Sequence, residues 1–155
     1  VLAGAVARRS AVAAVPVAAA TALATWLGAW PLLARAETIW LSPRMAAAAA
    51  RHAPCAETRL ASAGYREPSL VVLTRTDTLL TDGEGAALFL AEGPCRLAFV
   101  DAAPGRRGRP AEEAAFLATL AARGLAAEPL AMVEGRNLNG GRHRRMGLWR
   151  LKEGG

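Results

Sequence analysis

Ser10-Ala-Val-Ala-Ala-Val-Pro-Val-Ala-Ala-Ala-Thr-Ala-Leu-Ala-Thr-Trp-Leu-Gly-Ala-Trp-Pro-Leu-Leu-Ala34 is a run of 25 residues without a charged side chain. At ~1.5 Å of rise per residue, about 20 apolar residues cover a ~30 Å hydrocarbon core, so the run is long enough to span a bilayer. Trp26 and Trp30 lie near one end, where indole rings suit the interface. Pro16 and Gly28 are tolerated in membrane helices. Two other readings compete. One is a cleaved export signal, with Arg8-Arg9 as basic lead and Ala34-Arg35-Ala36 as a small-x-small site, although the run is longer than the usual ~7–15 residue apolar region. Arg8-Arg9-Ser10 also carries a hint of twin-arginine export. The other is a buried helix of a soluble protein. The expected organisation is a stub over residues 1–9, a transmembrane helix over 10–34, a linker over 35–41 and an α/β domain over 42–155.

Working outward from the run, Arg8 and Arg9 precede it, while Arg35 follows it and is balanced by Glu37. Positive charge stays cytoplasmic, which places the following domain outside the cytoplasm. The chain begins with Val1, which suggests a fragment or a processed product. The net charge is +6, but all the basic residues except Lys152 are arginines. Alanine is also very abundant, and a GC-rich genome writes both by default. A basic surface suits anionic lipid or phosphate. One tyrosine and three phenylalanines leave few rings for base stacking, so no nucleic-acid partner is expected.

After the linker, Ser42-Pro43 reads as N-cap and first helical residue of a helix to about His52, ended by Pro54. Arg59–Gly64 reads as a strand. Tyr65-Arg66-Glu67-Pro68 is a break. Ser69–Thr74 (SLVVLT) is the most β-like run of the chain and reads as a buried central strand. Thr81 or Asp82 caps the next helix, which stops at Gly93-Pro94. Cys95–Asp101 is a second buried strand. Pro110 opens a helix to about Arg123, with Glu112 and Glu113 at its positive end. Pro129–Glu134 and Arg144–Leu151 form a hairpin around Asn137-Leu138-Asn139-Gly140-Gly141. The order is αββαβαββ, a mixed sheet with flanking helices, preceded by one transmembrane helix.

Pro54-Cys55 and Pro94-Cys95 each follow a helix and lead into a strand. If those strands are parallel neighbours, both cysteines enter the sheet at one edge, and a Cys55–Cys95 disulfide is expected in an oxidising compartment. Buried free thiols are the competing reading. His52, Cys55, Cys95 and His143 could be drawn as a zinc site, but no CxxC pair is present and no metal site is assigned. The sequence has no Walker loop and no GxSxG, and Gly83-x-Gly85 is a helix start rather than a dinucleotide turn. No catalytic residue and no cofactor is assigned to this piece. Tyr65, Arg66 and Glu67 pack three polar types into one bend. They read first as a turn with a local ion pair, and alternatively as a contact surface together with Asn137 and Asn139.

Three separated stretches carry a family resemblance: GYREPSLVVLTRTD (Gly64–Asp77), CRLAFVD (Cys95–Asp101) and GRNLNGGRHRRMGLWRL (Gly135–Leu151). Together, with a preceding span, they resemble the C-terminal region of bacterial membrane glycosyltransferases of the lipid A aminoarabinose transferase and protein O-mannosyltransferase group. In that group an Asn-Tyr-x-Asn-Gly turn precedes the last strand; here Leu138 replaces the aromatic residue. The resemblance implies a polyprenyl-phosphate sugar donor, a lipid or protein acceptor, an upstream membrane domain of the same protein, and an inner-membrane location with the domain in the periplasm. It also implies that the catalytic acidic residues lie before Val1. The alternative is a stand-alone exported or single-span binding protein.

Overall fold

The structure is a computed structural model. It describes residues 11–35, 40–105, 111–136 and 142–152. The chain divides into two compact units, Val1–Glu37 and Thr38–Gly155.

The first unit is one helix, α1 (Ala11–Arg35). Its segment Ala14–Leu32 is long and apolar enough to cross a membrane, with none of it buried inside the protein. Its two threonines need no outside partner. Thr21 Oγ1 donates to Val17 O and Thr25 Oγ1 to Thr21 O, each at 2.8 Å. Such internal satisfaction is what hydrocarbon demands of a hydroxyl. Trp26 and Trp30, one turn apart, stack with centroids 5.3 Å apart.

The second unit runs α2 (Leu41–Arg51), β1 (Arg59–Ala63), α3 (Pro68–Leu73), β2 (Leu79–Thr81), α4 (Gly83–Ala91), β3 (Arg96–Asp101), α5 (Glu112–Ala122), β4 (Ala127–Arg136) and β5 (His143–Leu151). Among the described residues this is a mixed α/β domain on a five-stranded sheet of order β2-β1-β3-β5-β4. β1 is parallel to both β2 and β3; β5 is antiparallel to β3 and β4.

Alternation along the strands builds two separate cores. Leu60, Leu97, Phe99, Met146 and Leu148 meet Leu41, Met45 and Ala48 of α2 and Leu70 of α3 on one face. Ala61, Ala63, Ala98, Val100 and Trp149 meet Ala86, Phe89 and Leu90 of α4 and Phe116 and Leu120 of α5 on the other. The sheet is thus covered on both sides, as parallel strands require. Its edges are protected differently. β2 is only three residues long, and β4 carries Pro129, which an edge strand accommodates.

Two local expectations are corrected. Ser69–Thr74 is not a strand: Pro68–Leu73 is helix α3, and the second strand is Leu79–Thr81. Pro68 sits in the first turn after an extended Glu67, a geometry that starts a helix and outweighs the β preference of Val71 and Val72. Only Leu70 is buried in this helix, and Val72 is 80% exposed, so the run is not central either. Ser42 does not cap α2; the helix begins at Leu41, and Ser42 is turned into the interior. The helix expected to open at Pro110, which lies outside the described residues, is α5, beginning at Glu112 with Ala111 as its N-cap. Asp82, by contrast, caps α4 as expected, its Oδ1 accepting from Gly85 N at 2.8 Å.

β1 and β3 are parallel neighbours, and Cys55 and Cys95 are joined by a disulfide with Cα atoms 5.8 Å apart. Arg59 N donates to Cys95 O at 2.9 Å, so the backbone ladder starts beside the bond.

Candidate functional site

The site forms where β1 and β3 end. The chain leaves β1 through α3 towards β2 on one side of the sheet. It leaves β3 through α5 towards β4 on the other. Two neighbouring parallel strands whose outgoing connections diverge leave a crevice at their carboxyl ends, the usual ligand position in such sheets. Here the crevice measures 260 Å³ and is lined by Gly64, Asp101, Glu112, Arg142, His143 and Arg144, with the Ala103–Gly105 turn and Ala111.

Gly64 makes the close approach. Its φ is +83°, and a Cβ there would stand 2.7 Å from Asp101 Cβ and 3.1 Å from Glu112 Cγ. Asp101, 3% exposed, accepts from Ala103 N at 2.9 Å through Oδ1 and from Arg144 Nη1 through Oδ2. Glu112 Oε2 accepts from Gly83 N at 2.6 Å, so the first residue of α5 holds the start of α4. Both carboxylates are committed inside the protein. Arg144 keeps part of its side chain open, at 24% exposure. Arg142 and His143 are exposed, and their side chains have no hydrogen-bond or ion-pair partner among the described residues.

One residue beyond Gly64 the chain turns inward and builds a buried polar knot. Tyr65 is 2% and Glu67 9% exposed, while Arg66 faces solvent. Ser62 Oγ donates to Tyr65 O at 2.9 Å. Tyr65 OH donates to Glu67 Oε2 at 3.2 Å. With its one hydrogen so used, the phenol accepts from Ser42 Oγ at 2.8 Å, and Ser42 in turn accepts from Ser69 Oγ at 2.8 Å. The chain of donors therefore runs Ser69, Ser42, Tyr65, Glu67, and stitches the starts of α2 and α3 to the end of β1. Burial pushes the Tyr65 phenol above its ordinary value of 10.0; the Ser42 hydrogen bond opposes this and the Glu67 charge reinforces it. Glu67 Oε1 is buried without a hydrogen-bond partner among the described residues.

The bend that the sequence singles out is therefore mostly interior. Of its polar residues Tyr65, Arg66 and Glu67, only Arg66 presents a side chain to solvent, reaching Thr81 O at 3.5 Å. Asn137 and Asn139 lie outside the described residues. The zinc quartet is not assembled, since Cys55 and Cys95 bind one another, and no cluster of three metal-ligating side chains occurs among the described residues. In the sequence Asp101 ends a strand, where ligand sites often sit, but reads first as a loop-turning residue, Glu112 reads as helix-terminal, and Arg142 and Arg144 carry no site assignment. The only signal for them is indirect: a strand ending in Asp beside one ending in Gly.

No family model, curated protein or solved structure matches this chain. The apolar helix and the disulfide together suit an exported or membrane-anchored domain.

Proposed function

We propose that this chain is the last membrane span and extracytoplasmic C-terminal domain of a membrane glycosyltransferase that moves a sugar from a polyprenyl-phosphate donor to a lipid or protein acceptor. The piece itself carries no catalytic residue, and its domain lies on the periplasmic side of a bacterial inner membrane. The observation that carries the location is the pairing of a fully lipid-compatible helix with a disulfide-closed domain just after it. The sugar-transfer part rests on the resemblance of Gly64–Asp77, Cys95–Asp101 and Gly135–Leu151. The first of these stretches contains the Tyr65–Glu67–Ser69 knot, so its unusual residues have a structural reason to occur together.

The test is the reading frame upstream of Val1. A long frame with many further spans is expected; a start codon beside Val1 contradicts the reading. The second reading is a stand-alone exported or single-span binding protein. The crevice between Gly64 and Arg144 favours it, because a binding protein needs a pocket of its own.

A further inference from the structure

We propose that the crevice at the carboxyl ends of β1 and β3 binds a phosphate group, held between Arg142 and Arg144 at the start of α5. The argument is a balance of donors and acceptors. The two carboxylates in the wall are already used: Asp101 by Ala103 N and Arg144, Glu112 by Gly83 N. The wall side chains that have no partner among the described residues are of the other kind. Arg142 and His143 are exposed with no side-chain partner among the described residues, and Arg144, paired with Asp101 through Nη1 and 24% exposed, lines the crevice with a buried Nε that has no hydrogen-bond partner among the described residues. Asp101 fixes Arg144 in place, so little side-chain freedom is left to lose on binding. The α5 N-terminus adds to this. Its first-turn N–H groups have no side-chain cap, whereas those of α4 are covered by Asp82 and Glu112. Two arginines lining one crevice, beside first-turn N–H groups that Ala111 leaves uncapped, match a tetrahedral oxyanion.

Gly64 sets the spacing of the strand ends that line the crevice. Gly64 is the only residue type that permits its φ and its contacts with Asp101 and Glu112. A side chain there would push apart the strand ends that define the pocket.

The phosphate has two sources, a soluble phosphate ester or the head group of an anionic lipid. The experiment uses the full chain in detergent micelles at low ionic strength and follows the backbone amides of Gly64, Glu112 and Arg144 by NMR. The soluble probes are inorganic phosphate and glycerol phosphate, with chloride at matched ionic strength as control. The lipid probe is the chain in bilayer discs of phosphatidylglycerol, compared with discs of phosphatidylcholine. Saturable displacement of these amides by the soluble probes, with Kd on the order of 1 mM, supports the site and a soluble ligand. Displacement in phosphatidylglycerol discs alone supports the site and a lipid ligand. In either case Arg142→Glu weakens binding at least about tenfold, and Arg142→Gln has an intermediate effect. Arg142 is exposed, so neither change disturbs the core, and unchanged spectra elsewhere verify this. No displacement by any probe, equal displacement by chloride, or binding unaffected by both variants overturns the proposal.

Discussion

β1 and β3 lie side by side, yet their two ends are built on opposite terms. At the amino ends Cys55 and Cys95 tie the strands covalently, and the guanidinium of Arg96 lies over the Phe89 ring at 4.5 Å. At the carboxyl ends a glycine with φ +83° leaves room for a charged crevice. The closed end contributes stability without needing chemistry. The open end holds buried charge in fixed positions and leaves cationic groups over. A domain that has to present a rigid pocket gains from having its strands fixed at the far end, since motion there would be felt at the pocket.

The comparison can be broken first at the closed end. The disulfide closes a sequence separation of 40 residues. Replacing both cysteines by Ala removes a constraint worth roughly 3–4 kcal/mol on the chain-entropy model. Denaturant unfolding should show a fall of that size, while the crevice amides keep their native shifts. At the open end, Gly64→Ala forces a Cβ into a positive φ and against Asp101. The expected cost is about 2–3 kcal/mol, and unlike the disulfide change it should shift the amides of Ala103 and Glu112. If the two variants disturb the same amides, the two ends are not distinct.

A smaller effect separates the crevice from the knot beside it. Tyr65→Phe leaves Glu67 Oε2 without its donor and Ser42 without its acceptor. The loss should be about 1–2 kcal/mol, read as a lowered unfolding midpoint. Phosphate binding should be unchanged, because Tyr65 does not line the crevice. The smallest effect is in pH. Tyr65 is the one tyrosine of the chain, so phenolate absorbance reports it alone. Its folded value is raised above 10.0, chiefly by burial. The unfolded chain therefore loses this proton first. The stability that the neutral phenol contributes is fully present below pH 10.0, and is lost as pH rises through the raised folded value. Native protein should titrate later than urea-unfolded protein; coincident curves would show that the phenol is not buried.

How legible each region was in the sequence follows from the range of the forces that set it. The apolar run, Asp82 as cap, the two strands flanked by cysteines and the C-terminal hairpin depend on local pattern, and the structure has them at or near the expected positions. The β-rich look of Ser69–Thr74 misled because a short apolar run does not distinguish strand from helix by period. The decisive local sign was Pro68 in the position that Pro43 had been given. Ser42 misled for a different reason. Its hydroxyl finds Tyr65, 23 residues away, in place of its own helix. The crevice was invisible because it depends on which strands neighbour which. Gly64, Asp101, Glu112 and Arg144 are scattered in sequence and meet only once the order β2-β1-β3-β5-β4 is known. The cysteine pairing was legible because the repeated Pro-Cys before a strand needed only one such neighbour relation, and that relation holds.

The central claim is that the apolar helix and the disulfide mark an exported or membrane-anchored domain. Non-reducing peptide mapping of the chain, isolated from bacterial membranes with free thiols trapped by alkylation under denaturing conditions, tests it most directly. The account predicts one linked pair of peptides containing Cys55 and Cys95 and no alkylated cysteine. Both cysteines alkylated would contradict the closed end of the sheet and, with it, the oxidising compartment to which the domain is assigned.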